Sequence, residues 1–359
     1  MKSLYSYFGL LDLHDIDSPG HSLYQLGLID SIRESFMEDK FDFYSYYPEE
    51  VIESAQIKSF PSDERGDIFN KYKTELIENT YYDINLVIEK IRNKEYSKLY
   101  LKARFRNLST LSKKWKDARE FELIIEAAVS AGYLPHQILI LDTDLSLSQV
   151  FHEKYKCFVT IIIPSIDFPG ISNKFLQECV DVNMSTYDKI NRPVSVFYGN
   201  IDTSNYKAGN SKNSILFDSL DWVNNESNSK GVPFYLICKE KEFQQFDRER
   251  TYHVLRNDRE HIWNTLEIGR VMLNITKDKY DERQFIPARI FEAMIFGLIP
   301  VSYKFDWICS AFSFNTLDDL YEIYAYLSEC DDDGLKQAYK YFIDSYLKNV
   351  RPNEFIALL

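Results

Sequence analysis

Residues 284–306 read QFIPARIFEAMIFGLIPVSYKFD, and the class of the whole chain can be worked out from them. Phe285, Ile286, Ile290, Phe291, Met294 and Ile295 recur at helical spacing. Gly297 stops the helix, and 298–303 is a short apolar run carrying Pro300, the pattern of a buried strand. A helix starting near Gln284 and feeding a strand is therefore expected. Two charges interrupt the apolar face. Arg289 and Glu292 lie three apart, so they project from one side of the helix. A guanidinium can fork onto phosphate oxygens and a carboxylate can accept from two ribose hydroxyls, so the pair suits a nucleoside diphosphate. On a solvated face the same spacing would be a surface ion pair. Its place at the start of an apolar helix beside a strand is where α/β proteins hold their ligands.

Outward from this stretch, strands and helices alternate along the chain. Strands are expected at 4–11, 41–47, 98–103 and 137–141, with helices at 23–34, 82–91 and 121–131 between them. A second series follows 188, with strands at 194–198, 233–238, 271–275, 298–303 and 312–315. Its helices are 214–224, 260–269, 317–327 and an amphipathic 334–350. Such alternation implies two parallel sheets wound with helices on both faces, joined near 186–193, with a binding cleft facing the carboxyl ends of the strands. The expected units are 1–188, 189–335 and a closing helix, 336–359, that returns to the first.

At 359 residues the chain is long enough for two cores. Hydrophobic residues at 45 % and charged ones at 27 % are those of an ordinary globular protein. Its five Cys show no CxxC spacing and mostly lie in apolar runs, which suggests buried thiols rather than a disulfide frame or zinc site. The start lacks a signal-peptide pattern and no apolar run is long enough to span a bilayer, so a cytoplasmic protein without a membrane partner is expected. A net charge of −13 argues against a protein coated in nucleic acid. Yet Lys98, Lys102, Arg104, Arg106, Lys113, Lys114, Lys116 and Arg119 stand against one acid, Asp117, a cationic island in an acidic chain. It is either a phosphate-binding groove or a solvated helix and loop.

Three further stretches carry candidate chemistry. In QILILDTDLSLSQ (137–149) Asp142 and Asp144 follow a buried strand. One carboxylate there could be a general base, Asp144 could cap a helix, or the two could hold Mg²⁺ or Mn²⁺ on a diphosphate. In VSVFYGNIDTSNYK (194–207) Gly199 and Asn200 end a strand, where a Gly lets backbone approach a phosphate and Lys207 supplies charge. Gly20, His21 and Ser22 precede the first helix, whose free amides suit an anion. No Ser–His–Asp order, Cys–His pairing or Walker-type loop is present.

Together these residues resemble the bacteriophage DNA β-glucosyltransferases, two-lobed enzymes of GT-B type that move glucose from UDP-glucose to 5-hydroxymethylcytosine in duplex DNA. KDKYDERQFIPARIFEAM is similar to the family's Arg-x-x-Glu helix, LDTDLSLSQ to its Thr-Asp segment ending in Ser-Gln, and VFYGN to the opening of its nucleotide lobe. FYLICKEKEF is a fainter echo, and order and spacing fit across nearly the whole chain. The resemblance implies Asp144 as catalytic base, Arg289 on the diphosphate and Glu292 on the ribose. It implies a UDP-sugar donor, a flipped-out hydroxymethylated base as acceptor, and DNA contacts from Lys102, Arg104, Arg106, Lys113, Lys114 and Lys116. A monomer is expected. The chain departs from the family at Thr203 and Lys207, where Arg residues are expected, and at Gly199-Asn200, where a Gly pair is. A pentose such as arabinose is thus as admissible as glucose. A transferase acting on a glycan, lipid or protein, or a non-catalytic nucleotide-sugar-binding protein, is the alternative.

Overall fold

The computed structural model describes residues 2–7, 29, 32–33, 40–45, 64–67, 74, 78–102, 116–142, 159–162, 173–187, 194–199, 201, 211–244, 246, 251–255, 259–275 and 286–349. The first half contains strands β1 (Lys2–Tyr7), β2 (Phe41–Ser45) and β3 (Thr80–Tyr81), then helix α1 (Ile84–Arg92) and β4 (Tyr96–Lys102). Helix α2 (Lys116–Ser130), β5 (Ile138–Asp142) and β6 (Val159–Ile162) complete it. Every pairing is parallel, in the order β3-β2-β1-β4-β5-β6. Helix α1 starts where Asp83 accepts from the Asn85 amide, and it ends with Lys90 and Arg92 at the negative end of its dipole.

The second half opens with helix α3 (Asn173–Thr186) and runs through β7 (Ser195–Tyr198), α4 (Ser211–Lys230), β8 (Phe234–Cys238), the single turn α5 (Glu240–Phe243) and β9 (Thr251–Leu255). It continues with α6 (Arg259–Ile268), β10 (Val271–Asn274), α7 (Ala288–Phe296) and β11 (Ile299–Tyr303). Then come α8 (Asp306–Cys309), β12 (Ser313–Phe314), α9 (Leu317–Glu329) and α10 (Asp332–Asn349). Its sheet is again wholly parallel, in the order β12-β11-β10-β7-β8-β9. Counted by rank within each half, both sheets run 3-2-1-4-5-6, the Rossmann order with its reversal between the first and fourth strands. The chain is thus α/β with two Rossmann-like domains, the class the alternation of elements implies.

Strands buried on both faces read as unbroken apolar runs, and β11, IPVSY, is buried at all five positions. Its Pro300 is tolerated for a local reason. Ile299 donates its amide to Arg270 O across β10, so the next amide position points the other way. There β12 pairs only with Ser302 and Tyr303, and the N–H that proline lacks has no ladder partner to lose.

Two apolar cores underlie the sheets. The first joins Leu4, Tyr44, Val87, Leu99, Phe121 and Ile138 with their neighbours, and the second gathers β7, β8, β10, β11 and the helices around them. Helix α3, inside the expected 1–188 unit, places Leu176, Cys179 and Val180 in the second core, and Tyr187 follows them. The expected returning segment 336–359 also lies on the second core as far as Asn349, through Ala338, Tyr339, Phe342 and Tyr346; 350–359 lie outside the described residues. Among the described residues Cys179, Cys238, Cys309 and Cys330 are free thiols, and no helix is long and apolar enough to cross a membrane.

Candidate nucleotide site

Helix α7 starts later than its apolar spacing suggests. Pro287 is the N-cap, with extended backbone (φ −71°, ψ 146°), and Ile286 precedes it outside the helix. Pro disfavours helical geometry in the residue before it, which fixes that start. The helix ends at Gly297, left-handed at φ 78°, a conformation glycine adopts without a Cβ penalty. Between these stops Ile290, Phe291, Met294, Ile295 and Phe296 are all at most 2 % exposed. Each such burial stabilises by about 1.5–3 kcal/mol, so the helix is held on every side.

Arg289 lies in the first turn of this helix, where the dipole disfavours a cation. What holds it is the carboxyl edge of the second sheet. Its Nε donates to Asn274 Oδ1 (2.5 Å), Nη1 to Tyr198 O (3.0 Å) and Nη2 to Ile275 O (3.0 Å). Tyr198 ends β7 and Asn274 ends β10, the two strands between which the order reverses. The guanidinium therefore sits on the topological switch point, the place in an open α/β sheet where ligands bind. Asn274 is fixed in turn, its Nδ2 donating to Ser302 Oγ of β11 (3.1 Å), and both residues are buried.

Gly199 is part of the same fit. A Cβ there would lie 2.7 Å from Arg289 Nη1 and 3.1 Å from Phe197 Cζ, so only glycine lets the guanidinium lie against the end of β7. Its amide donates to Ile237 O, continuing the ladder rather than pointing at a ligand. Beyond it, Glu242 Oε2 accepts from the amides of Ile201 and Lys239 (3.3 Å each), tying the segment after β7 to the end of β8.

Glu292 stands one turn beyond Arg289 and is 2 % exposed. A solvated surface ion pair is thereby excluded. A carboxylate within a helix this apolar costs several kcal/mol unless its surroundings satisfy it.

The remaining sequence candidates fall unevenly. Lys102 is the last residue of β4, Asp142 the last of β5 and Lys116 the first of α2, and only their backbones are described. Lys102 pairs in register with Leu141, so β4 and β5 end side by side at the carboxyl ends of the first sheet's strands. Asp144, Gly20, His21, Ser22, Asn200, Lys207, Arg104, Arg106, Lys113 and Lys114 lie outside the described residues. Among the described residues no three His, Cys, Asp or Glu side chains gather as metal ligands. Sequence reasoning missed Asn274 and Ser302. Each had a faint signal, a polar residue in an otherwise apolar strand (VMLN and IPVSY).

No protein-family model and no curated protein matches the chain. Among solved structures, a trehalose-6-phosphate synthase aligns over 97 % of this chain and 96 % of its own, at 9 % identity and a TM-score of 0.42. A protein assigned as UDP-N-acetylglucosamine 2-epimerase from Listeria monocytogenes aligns over 99 % and 91 %, at 8 % identity and 0.41. The UDP-GlcNAc 2-epimerase of Neisseria meningitidis, bound to UDP-GlcNAc, aligns over 97 % and 100 %, at 12 % identity and 0.36. Likeness at this level bears on no residue and no activity, and the fold assignment stands on the strand order of the two sheets.

Proposed function

We propose that the chain is an inverting glycosyltransferase that uses a UDP-sugar and delivers glucose or a pentose to the hydroxymethyl group of a modified base in DNA. The observation that carries the donor half is Arg289, pinned on the switch point of the second sheet one turn from the buried Glu292. Two carbonyls and an amide oxygen set the plane of the guanidinium, which prepares it for the diphosphate. The start of α7 adds the positive end of a helix dipole. Glu292 accepts from the ribose hydroxyls, and Lys207 adds a point charge. Asp144 takes the hydroxymethyl proton as that oxygen bonds to the anomeric carbon. The bond from that carbon to the β-phosphate oxygen breaks, and UDP leaves with the electron pair, its charge met by Arg289. The acceptor half is supported by register: Lys102 and Asp142 end neighbouring strands, so basic residues for DNA phosphates and the base-bearing segment start side by side. A divalent ion at Asp142 and Asp144 is no part of these steps.

The experiment is mass spectrometry of hydroxymethylated and unmodified duplex DNA after incubation with the protein and UDP-glucose or UDP-arabinose. One added hexose or pentose on the hydroxymethylated duplex alone is expected. Donor hydrolysis or UDP binding without transfer to DNA would remove the acceptor and leave the donor site, and no UDP binding would remove both.

A further inference from the structure

The end of α7 remote from Arg289 is built as closely as the end that carries it. A helix leaves its last carbonyls without intrahelical donors. Here Asn183 Nδ2 donates to Ile295 O (2.8 Å) and Met294 O (3.3 Å), and the Tyr339 hydroxyl donates to Met294 O (2.5 Å). A Cβ on Gly297 would meet Asn183 Cγ at 3.2 Å, so the turn and the clamp are fitted to each other. The amide oxygen of Asn183 accepts from Arg65 Nη1 (3.2 Å), and Arg65 Nη2 pairs with Glu267 (2.5 Å). The same guanidinium lies 4.9 Å over the Phe296 ring, which stacks on Trp263 at 4.8 Å.

Arg65 falls in the chain between β2 and β3, both strands of the first sheet, yet these partners all belong to the second half. The β2–β3 crossover thus brings a cation to the C-terminal end of α7, where the dipole favours one. We propose that Arg65 is a positioning residue for the nucleotide site. It seats α7 through Asn183 and Phe296, and so sets where Arg289 and Glu292 stand. The helix has nine residues, so its ends are about 13 Å apart. Close packing along its length leaves no slack to absorb a shift at one end. The inference rests on the donor site proposed above and adds that a residue from the first half governs donor affinity without touching the donor.

Titration calorimetry with UDP, well below the melting temperature, tests it on the full chain. Arg65→Met keeps most of the volume and removes charge and donors; it is expected to weaken UDP binding about tenfold, a coupling of ordinary size. Arg65→Lys should restore part of the loss. Arg65→Met combined with Asn183→Ala should bind no more weakly than the weaker single variant, because both act along one path. In turnover the donor KM should rise while kcat at saturating donor stays within about twofold. A lower melting temperature with UDP affinity within twofold of wild type would overturn the proposal, leaving Arg65 a structural bridge. Should Arg65→Met fail to fold, Arg65→Lys and Asn183→Asp decide on the same affinity criterion. A wild-type chain that binds no UDP ends the donor-site reading before any variant is compared, and this inference ends with it.

Discussion

The two sheets share one strand order and differ in what stands where that order reverses. In the second, the ends of β7 and β10 offer the Tyr198 carbonyl and the Asn274 amide oxygen, and Ile275 adds a carbonyl just beyond; the helix that follows brings the cation. In the first, the strand equivalent to β10 is β4, which ends in Lys102 beside the strand that ends in Asp142. A doubly wound sheet provides a crevice at a known place, and a few residues at the strand ends decide what the crevice does. On the proposed function, one fold used twice in the chain holds the leaving group on one sheet and activates the nucleophile on the other.

That division can be broken by substitutions, taken here from the largest expected effect. Asp144→Asn should lower single-turnover transfer by about 10²–10⁴-fold while UDP affinity stays within twofold; equal loss of both would place Asp144 with the donor instead. Arg289→Met should weaken UDP binding by about 10²-fold, the worth of charge-assisted bonds to phosphate, and leave affinity for duplex DNA unchanged. Reversing the charge of Lys113, Lys114 and Lys116 together should weaken duplex binding by roughly tenfold. It should also flatten the salt dependence by about 0.9 in log–log slope for each DNA phosphate the protein no longer neutralises. Unaltered DNA affinity would detach the island from the acceptor side. Gly199→Ala, whose Cβ would press on Arg289 Nη1, should cost UDP affinity about threefold to tenfold by moving the guanidinium. An alanine that changes nothing would show that the guanidinium has room to shift.

Strand-rich stretches of the fold were legible because burial on both faces leaves apolar runs, as at β7, β8 and β11. Other elements were hidden by their surroundings. Strand β9, TYHVL, closes one edge of its sheet among the described strands and exposes Tyr252 and Leu255, so no apolar run announces it. Helix α3 carries a helical stripe at Leu176, Cys179, Val180 and Asn183, but its buried asparagine makes the stripe look broken. That asparagine is buried because it caps another helix, a fact no local pattern contains. At the site, Arg289 and Glu292 could be found from their spacing. Asn274 and Ser302 left only a faint trace and Arg65 none, since each acquires its role from partners on other elements. The base-bearing segment around Asp144 lies outside the described residues, so its expected role remains with the proposed function.

The contact between Arg65 and Glu267 also fixes a schedule for synthesis. The pair is separated by 202 positions, which a ribosome adding roughly 5–20 residues per second covers in about 10–40 s. Through that interval the β2–β3 crossover has been made and its anchorage has not. The Arg65 anchorage therefore cannot form during translation until Glu267 and Phe296 have left the exit tunnel.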